Sequence, residues 1–208
     1  MHPQGSEKVV RAWLEVISPG VELPSELVSD LSLNWRPVRL KEVFTSVLSL
    51  GKATGRLGEA MVLLGHQEAA FRQLRDEIGI PRAAPLDVLP RAAVVFESKG
   101  TWWSPGGWIP DILDRAAGRD VLRASGDPNA PLDQAQLVSA EPEHVFVLAE
   151  SGVGVQGPEC LEGMATRIHR IDLPERWLIP GPRLPFSIFE AASCLHGVSS
   201  VFSPTPVH

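Results

Sequence analysis

The longest helical pattern of the chain spans about residues 38–78. Apolar side chains recur there every three or four positions with charged residues between them, which is typical of an amphipathic helix. Glycines weaken the pattern, and we expect a kink or break near Gly55–Arg56. The region is predicted to end at the Gly-Ile-Pro sequence of residues 79–81. The recurring apolar residues are Val43, Phe44, Val47, Leu48, Leu50, Ala53, Leu57, Ala60, Leu63 and Leu64.

Shorter patterns precede this region. A helix is predicted at Glu7–Val16, followed by a stop at the Ser-Pro-Gly sequence of residues 18–20. A further helical turn is predicted at Ser25–Leu31. The sequence LSLNW at residues 31–35 predicts a short strand.

After Pro81 the pattern changes to alternating strands and helices. Continuous apolar runs rich in β-branched residues predict strands that are buried on both faces. Strands that alternate with helices predict an α/β fold with a mostly parallel sheet, flanking helices and right-handed crossovers. The long helical region is expected to pack on this sheet. Strands are predicted at residues 92–98, 144–151 and 165–173, and helices at 110–117, 132–140 and 184–195.

Composition excludes several classes of protein. The 208 residues are 44% hydrophobic and 21% charged with a net charge of −6, so wholesale disorder and general attraction to nucleic acid are not expected. No apolar run reaches the roughly 18 residues of a membrane-spanning helix, so membrane insertion is not expected. The N-terminus lacks the pattern of a secretory signal, and Cys160 and Cys194 cannot form a disulfide framework. We expect a cytoplasmic protein, or a periplasmic or cell-surface one if an export signal has been removed.

Tryptophans concentrate in one turn-rich segment. Trp102, Trp103 and Trp108 lie within seven positions, interleaved with Pro105 and a Gly-Gly pair. This predicted loop leaves the carboxyl end of the strand at 92–98, where open parallel sheets bind ligands. Tryptophans combine large contact area with little conformational entropy, which favours a binding surface at the edge of the sheet. A satellite cluster folded inward under the loop is the alternative.

Motifs for catalysis and metal binding are scarce. The sequence GVGVQG at residues 152–157 has the glycine spacing of a dinucleotide site, but Pro158 and Gly163 leave little room for the helix that must hold the pyrophosphate. A flexible loop is the better interpretation. No esterase or zinc motif occurs, and no pair of carboxylates indicates acid–base catalysis. We therefore predict neither catalytic residues nor a metal site, and no enzyme.

Six short sequences carry a resemblance to a known family. The sequences WIPDIL (108–113) and AAGRDVL (116–122) follow the first predicted strand of the α/β region. The segment VSAEPEHVFVL (138–148) and the sequence PGPRL (180–184) come later in the chain. Upstream, LKEV at residues 40–43 and LGKATGR at 50–56 open the long helical region. Together these motifs resemble helical-backbone metal-chelate binding proteins, closest to their cobalamin-binding branch.

The resemblance implies a non-catalytic function. Its ligand would be a corrinoid such as cobalamin, or haem or a ferric siderophore, and no other cofactor is expected to be required. The tryptophan-rich loop would bind the flat face of the chelate, and the glycine backbone nearby would reach its polar edges. Trp177 fills the aromatic position before the last motif, although a core role for it is equally compatible with the sequence. The candidate ligand-binding residues are Glu97, Trp102, Trp103, Gly106, Gly107, Trp108, Gly152, Gly154 and Trp177.

The chain also departs from the family. The resemblance implies an N-terminal lobe before the long helix, so residues 1–37 are expected to be its remnant. Residues 38–79 would be the backbone helical region, and residues 80–208 the C-terminal α/β lobe with a frayed tail from about 198. Leu178 or Ile179 replaces the acidic residue that docks relatives on their transporter. Apolar surface left uncovered by the lobe favours, as an alternative function, an interaction module or homodimer, or a partner chain that supplies the lobe.

Overall fold

The computed structural model describes residues 3–21, 24–33, 35–81, 83–149 and 157–198. Four helices form the first part of the chain, and the helices predicted at 7–16 and 25–31 are confirmed. The strand predicted at 31–35 is wrong for residues 31–33, which continue α2, where the Ser32 hydroxyl donates to the Val28 carbonyl at 2.6 Å. The helices are α1 (Pro3–Ile17), α2 (Ser25–Leu33), α3 (Leu40–Ala53) and α4 (Leu57–Ile78).

The predicted break in the long helical region separates α3 from α4. Gly55 has a φ of +70°, a left-handed conformation that favours glycine. Gly51 lies where the two helices approach each other, because a Cβ on it would come within 2.6 Å of the Ala60 Cβ. The helical region ends as predicted, at Gly79 with a φ of +75°. The LGKATGR motif therefore forms the corner of a helical hairpin.

The sheet is centred on the predicted buried strands. Its order is β4-β2-β1-β5-β6, with β3 also paired to β1. The pairings of β1 with β5 and β3, and of β5 with β6, are parallel. Successive side chains of β1 and β5 enter cores on opposite faces of the sheet, which explains their continuous apolar sequence. The strands are β1 (Arg91–Ser98), β2 (Thr101–Ser104), β3 (Arg119–Asp120), β4 (Ala130–Pro131), β5 (His144–Leu148) and β6 (Arg167–Ile171).

The tryptophan-rich segment is not wholly a loop, which corrects the sequence prediction. Trp102 and Trp103 lie on β2, antiparallel to β1, with Trp103 opposite Phe96. A two-residue turn joins the strands, because Lys99 and Gly100 both adopt positive φ values of 54° and 74°. The sheet is consequently mixed, and only residues 105–108 of the segment lie beyond the strand.

Helices cover both faces of the sheet. The larger core joins α1, α3, α4 and the remaining helices α5 (Ile109–Arg115), α7 (Glu175–Leu178) and α8 (Leu184–His196) to one face. Helix α6 (Gln134–Ser139) and a short 3-10 turn at Glu159–Leu161 lie on the other face. Residues 1–37, 38–79 and 80–208 thus contribute to a shared core within the described chain. The division into a lobe remnant, backbone helix and C-terminal lobe stays a prediction, and the tail from 199 lies outside the described residues.

Polar contacts fasten α5 to the helical hairpin. The backbone N–H of Leu40 donates to the Asp111 carboxylate at 2.8 Å, which caps α3 from another element. Arg115 makes a two-pronged ion pair with Glu68 of α4, at 2.9 and 3.0 Å. Arg75 of α4 donates to the Asp114 carbonyl at 2.7 Å. The WIPDIL motif therefore holds the LKEV motif in place, although the two lie about 70 residues apart along the chain.

Candidate functional site

A cleft opens where the segment after β2 faces the N-terminal helices. Its volume is about 710 Å³, within the ~300–1,000 Å³ that is usual for small-molecule sites. One wall comes from α1, α2 and residues 35–38, and the other from residues 105–109, the turn at 127–129 and Leu178. The lining residues are Ser6, Glu7, Ser29, Ser32, Leu33, Trp35, Arg36, Pro37, Val38, Pro105, Gly106, Gly107, Trp108, Ile109, Asp127, Pro128, Asn129 and Leu178.

The Gly-Gly pair shapes the floor of this cleft. A Cβ on Gly106 would overlap the carbonyl group of Asp127, so only glycine fits beside this turn. The Gly106 N–H donates to the Asn129 side-chain oxygen at 2.9 Å, and the Gly107 N–H donates to the Asp127 carbonyl at 2.6 Å. Both N–H groups are thus used within the protein. This corrects the expectation that they reach the polar edges of a ligand.

Trp108 forms part of the wall and is anchored from behind. Its indole N–H donates to the backbone carbonyl of Trp177 at 2.8 Å, and its half-buried ring lines the cleft. Trp177 itself is fully buried, and its ring centre lies 5.2 Å from that of Phe146. Its indole N–H donates to the Glu190 carboxylate at 2.9 Å. Trp177 therefore has the core role that the sequence left open, and it supports Trp108 from inside.

Trp35 is the second tryptophan of the cleft. Its side chain is 2% exposed, and its indole nitrogen has no hydrogen-bond partner among the described residues. Unsatisfied buried donors are rare because each one forfeits its hydration. The sequence analysis missed Trp35, because it assigned this residue to a short strand rather than to the segment that follows α2.

The other predicted residues lie away from the cleft. Glu97 and Trp102 face each other across the β1–β2 hairpin, where Trp102 packs on the smaller core. Trp103 stacks on Phe96 with a ring-centre distance of 6.4 Å. These three residues do not line the cleft, so only Gly106, Gly107 and Trp108 of the predicted set come together there. The predicted residues Gly152 and Gly154 lie outside the described residues.

Comparison with known proteins was made by sequence and by structure. No family model and no curated protein matches the chain. A periplasmic binding protein from Veillonella parvula aligns with 89% of this chain and 69% of its own, at 16% identity and a TM-score of 0.60. An ABC transporter substrate-binding protein from Listeria monocytogenes aligns with 77% and 66%, at 15% identity and a TM-score of 0.63. IsdE of S. aureus, complexed with heme, aligns with 76% and 65%, at 12% identity and a TM-score of 0.61.

The chain has the fold of the periplasmic substrate-binding proteins. This agrees with the α/β fold and with the family resemblance inferred from the motifs. The chain spans about two thirds of the length of the three structures. At these identities the likeness shows the fold, so the cobalamin-binding branch and the loss of an N-terminal lobe stay predictions.

A larger groove lies on another side of this substrate-binding fold, between α1, α4 and the α7–α8 region. Its volume is about 2060 Å³. It opens beside Val62 of α4, which is 58% exposed, and the neighbouring Met61 is 60% exposed. The apolar lining residues include Val16, Ile17, Val62, Leu63, Phe186 and Phe189. This groove is lined mainly by helices, whereas loop segments form much of the cleft.

Two further features concern metal ions and membranes. Within the described ranges, no group of three or more His, Cys, Asp or Glu side chains is placed to hold a metal ion. The ring nitrogens of His144 and His169 lie 2.9 Å apart, and burial is the main cause that lowers the pKa of both side chains.

None of the described helices is long and apolar enough to cross a membrane.

Asp120 shapes the segment that leads to the turn at 127–129. One of its carboxylate oxygens accepts the backbone N–H groups of Leu122 and Arg123 at 2.8 and 3.0 Å. Arg123 in turn donates to the Ser104 hydroxyl at 3.1 Å, at the end of β2. Removal of the carboxylate from water raises the pKa of Asp120 to about 7, against the effect of the two N–H groups.

Replacement of Asp120 by asparagine is expected to stabilise the protein above about pH 7 and to have less effect near pH 4. Asparagine keeps the oxygen that accepts both N–H groups. Because folding raises the pKa of Asp120 from 3.8 to about 7, its contribution to stability is complete below 3.8 and is lost as the pH rises through 7. Urea unfolding at about pH 5, 6.5 and 8 measures the difference between the two proteins. A difference that stays constant over this range would contradict the assignment.

Proposed function

We propose that this protein binds a metal chelate in the cleft, without catalysis. The observation that carries the proposal is the position of Trp35 and Trp108 on one cleft of a substrate-binding fold. A protein of this fold from S. aureus is described as complexed with heme. A metal chelate such as heme offers a broad apolar face with polar edges, and the half-buried Trp108 ring and the exposed Pro128 of the cleft offer matching contact area.

Among the residues that the sequence analysis selected, Trp108, Gly106 and Gly107 are proposed to contact the ligand directly. Trp177 would act through Trp108, whose ring it holds by the 2.8 Å hydrogen bond. Trp102, Trp103 and Glu97 would act only through the stability of the hairpin. A corrinoid is the first ligand to test, because the sequence motifs resemble the cobalamin-binding branch most closely.

The proposed function also bears on where the protein is located. A protein of this fold from Veillonella parvula is described as a periplasmic binding protein. We therefore favour a location outside the cytoplasm, which the sequence analysis left as its second expectation. Delivery to a membrane transporter would be consistent with this location, but the docking acid implied by the resemblance is replaced by Leu178 or Ile179.

Calorimetric titration with cyanocobalamin, hemin and a ferric hydroxamate tests the proposal. At least one of the three is expected to bind. Ser29→Phe, which places a large ring in the cleft from an exposed position of α2, is expected to weaken that binding at least tenfold. Ser25→Phe, one helical turn away and outside the cleft lining, is the matched control. If none of the three chelates binds, or if both variants bind equally well, the proposed site is wrong.

The alternative function is self-association through the groove. Large apolar side chains are exposed there on α4, and contiguous apolar surface on a folded chain commonly marks an interface. Val62→Glu is expected to shift a dimer toward monomer, measured by light scattering. Leu86→Glu is the control, because Leu86 is 62% exposed but does not line the groove. A monomer at every concentration tested would exclude this alternative.

A further inference from the structure

The described lining of the cleft holds none of the side chains that ligate haem iron. Haem proteins hold the iron through histidine, cysteine, methionine or tyrosine. The described residues around the cleft are instead tryptophans, prolines, small polar residues, Arg36 and the carboxylates of Glu7 and Asp127. The chain contains no tyrosine at all. The cleft therefore has contact area for a chelate but, in its described part, no soft or imidazole ligand for the metal.

None of the described histidines lines the cleft. His66 is exposed on α4 and lines the groove, not the cleft. His144 and His169 are hydrogen-bonded to each other on β5 and β6. His196 contacts the Ala116 carbonyl at 3.0 Å.

The described sulfur ligands are distant from the cleft as well. Cys160 and Met164 pack against the smaller core on the opposite face of the sheet. Cys194 lines the groove, and Met61 is exposed on α4. None of these side chains can reach a metal in the cleft without rearrangement of the fold.

Both carboxylates of the cleft already have partners. Glu7 forms an ion pair with Arg11 at 2.8 Å on the exposed surface of α1. The Asp127 carboxylate accepts the Ala124 N–H at 2.8 Å and so shapes the turn. One oxygen of each carboxylate thus serves the structure of the cleft walls, and carboxylates are not among the side chains that usually hold haem iron.

The cleft offers hydrogen-bond donors instead. The Trp35 indole N–H is buried without a partner among the described residues. Asn129 uses its oxygen to accept from Gly106, which leaves its NH₂ group as a donor. The exposed guanidinium of Arg36 adds a charged donor at the same wall. Such donors match oxygen atoms at the periphery of a chelate rather than its metal.

We infer that the cleft selects chelates whose metal is fully coordinated by the chelate itself, such as ferric siderophores and corrinoids, over haem. This inference rests on the proposed function and names its substrate class. Such a chelate, called a saturated chelate below because its metal has no open coordination position, needs only contact area and peripheral hydrogen bonds from the protein. The cleft provides both. Haem needs an axial ligand from the protein, and the described cleft provides none.

Titration with three probes tests the inference: ferric desferrioxamine B, cyanocobalamin and hemin. At least one saturated chelate is expected to bind at least tenfold more tightly than hemin. Hemin is expected to keep the absorbance spectrum of the free compound in the Soret region. Trp35→Phe, which keeps a smaller aromatic ring and removes the N–H, is expected to weaken binding of that chelate about fivefold or more, because one hydrogen bond is lost.

The outcomes separate the inference from the proposed function. If hemin binds most tightly with a ligated Soret spectrum, the inference fails and the proposed function stands. His2→Ala and His208→Ala are included because both residues lie outside the described residues, and loss of hemin binding in either variant would overturn the inference by identifying the axial ligand. If no probe binds, the proposed function itself fails.

Discussion

Replacement of Trp177 by alanine is expected to lower the free energy of unfolding by about 3–5 kcal/mol. The Trp177 ring is fully buried between the sheet and α8, in contact with Phe146. Its loss leaves a cavity and deprives Glu190 of the indole N–H that it accepts at 2.9 Å. For a chain of this size the melting temperature should fall by roughly 6–20 °C. Thermal and urea unfolding followed by circular dichroism measure both quantities.

Trp103→Ala is the matched control. The Trp103 side chain is only half-buried and stacks on Phe96 at the sheet edge, so a smaller loss of stability is expected. Equal melting temperatures for Trp177→Ala and Trp103→Ala would contradict the packing described for Trp177.

Gly106→Ala is expected to destabilise the protein by about 1–3 kcal/mol, the range for overpacked positions. The new Cβ would overlap the Asp127 carbonyl and lie 2.9 Å from the Pro128 carbonyl oxygen, and both are backbone atoms that cannot rotate away. The turn at 126–129 must then move, and this turn forms one side of the cleft. We therefore expect lower stability together with weaker binding of any ligand that the wild-type protein binds. Chemical unfolding and calorimetric titration of the same preparation measure the two effects.

Gly65→Ala controls for the substitution itself. Gly65 lies within α4 with open space around its Cα, so alanine there is expected to stabilise the helix by up to about 1 kcal/mol. A loss of stability in Gly106→Ala together with a gain in Gly65→Ala would support the close approach of Gly106 to the Asp127 carbonyl. If Gly106→Ala also increased stability, the described contact with Asp127 would be wrong.

The sequence predicted those parts of the fold whose local pattern agrees with their tertiary environment. The helix break at Gly55 and the two-face burial of β1 and β5 follow directly from glycine conformation and apolar runs. The strand at 31–35 failed because five residues of alternating polarity fit equally well on a helix that buries Val28 and Ser32. The β1–β2 hairpin was missed because its turn uses Lys99, a residue with no turn signature, in a left-handed conformation.

The candidate site was predictable only in part, for a different reason. The Gly-Gly pair and Trp108 could be selected because they follow a strand in a motif with a known family pattern. Trp35 and Asn129 come from segments about 90 residues apart, and nothing in their own neighbourhoods indicates that they meet. Trp102 and Trp103 lie on β2 outside the cleft lining, and their contact with a ligand stays a prediction. Residue type alone does not distinguish a strand packed at a sheet edge from a binding surface.

The fastening of α5 has a kinetic consequence for ligand capture. Trp108 immediately precedes α5, and Asp111, Asp114 and Arg115 tie that helix to α3 and α4. The wall that contains Trp108 is therefore held to the helical hairpin, and movement at this junction would have to break these polar contacts. For a ligand bound in the proposed cleft, we therefore expect association with a preformed cavity rather than association limited by domain closure. Retention would then depend on how slowly the ligand escapes through the open entrance.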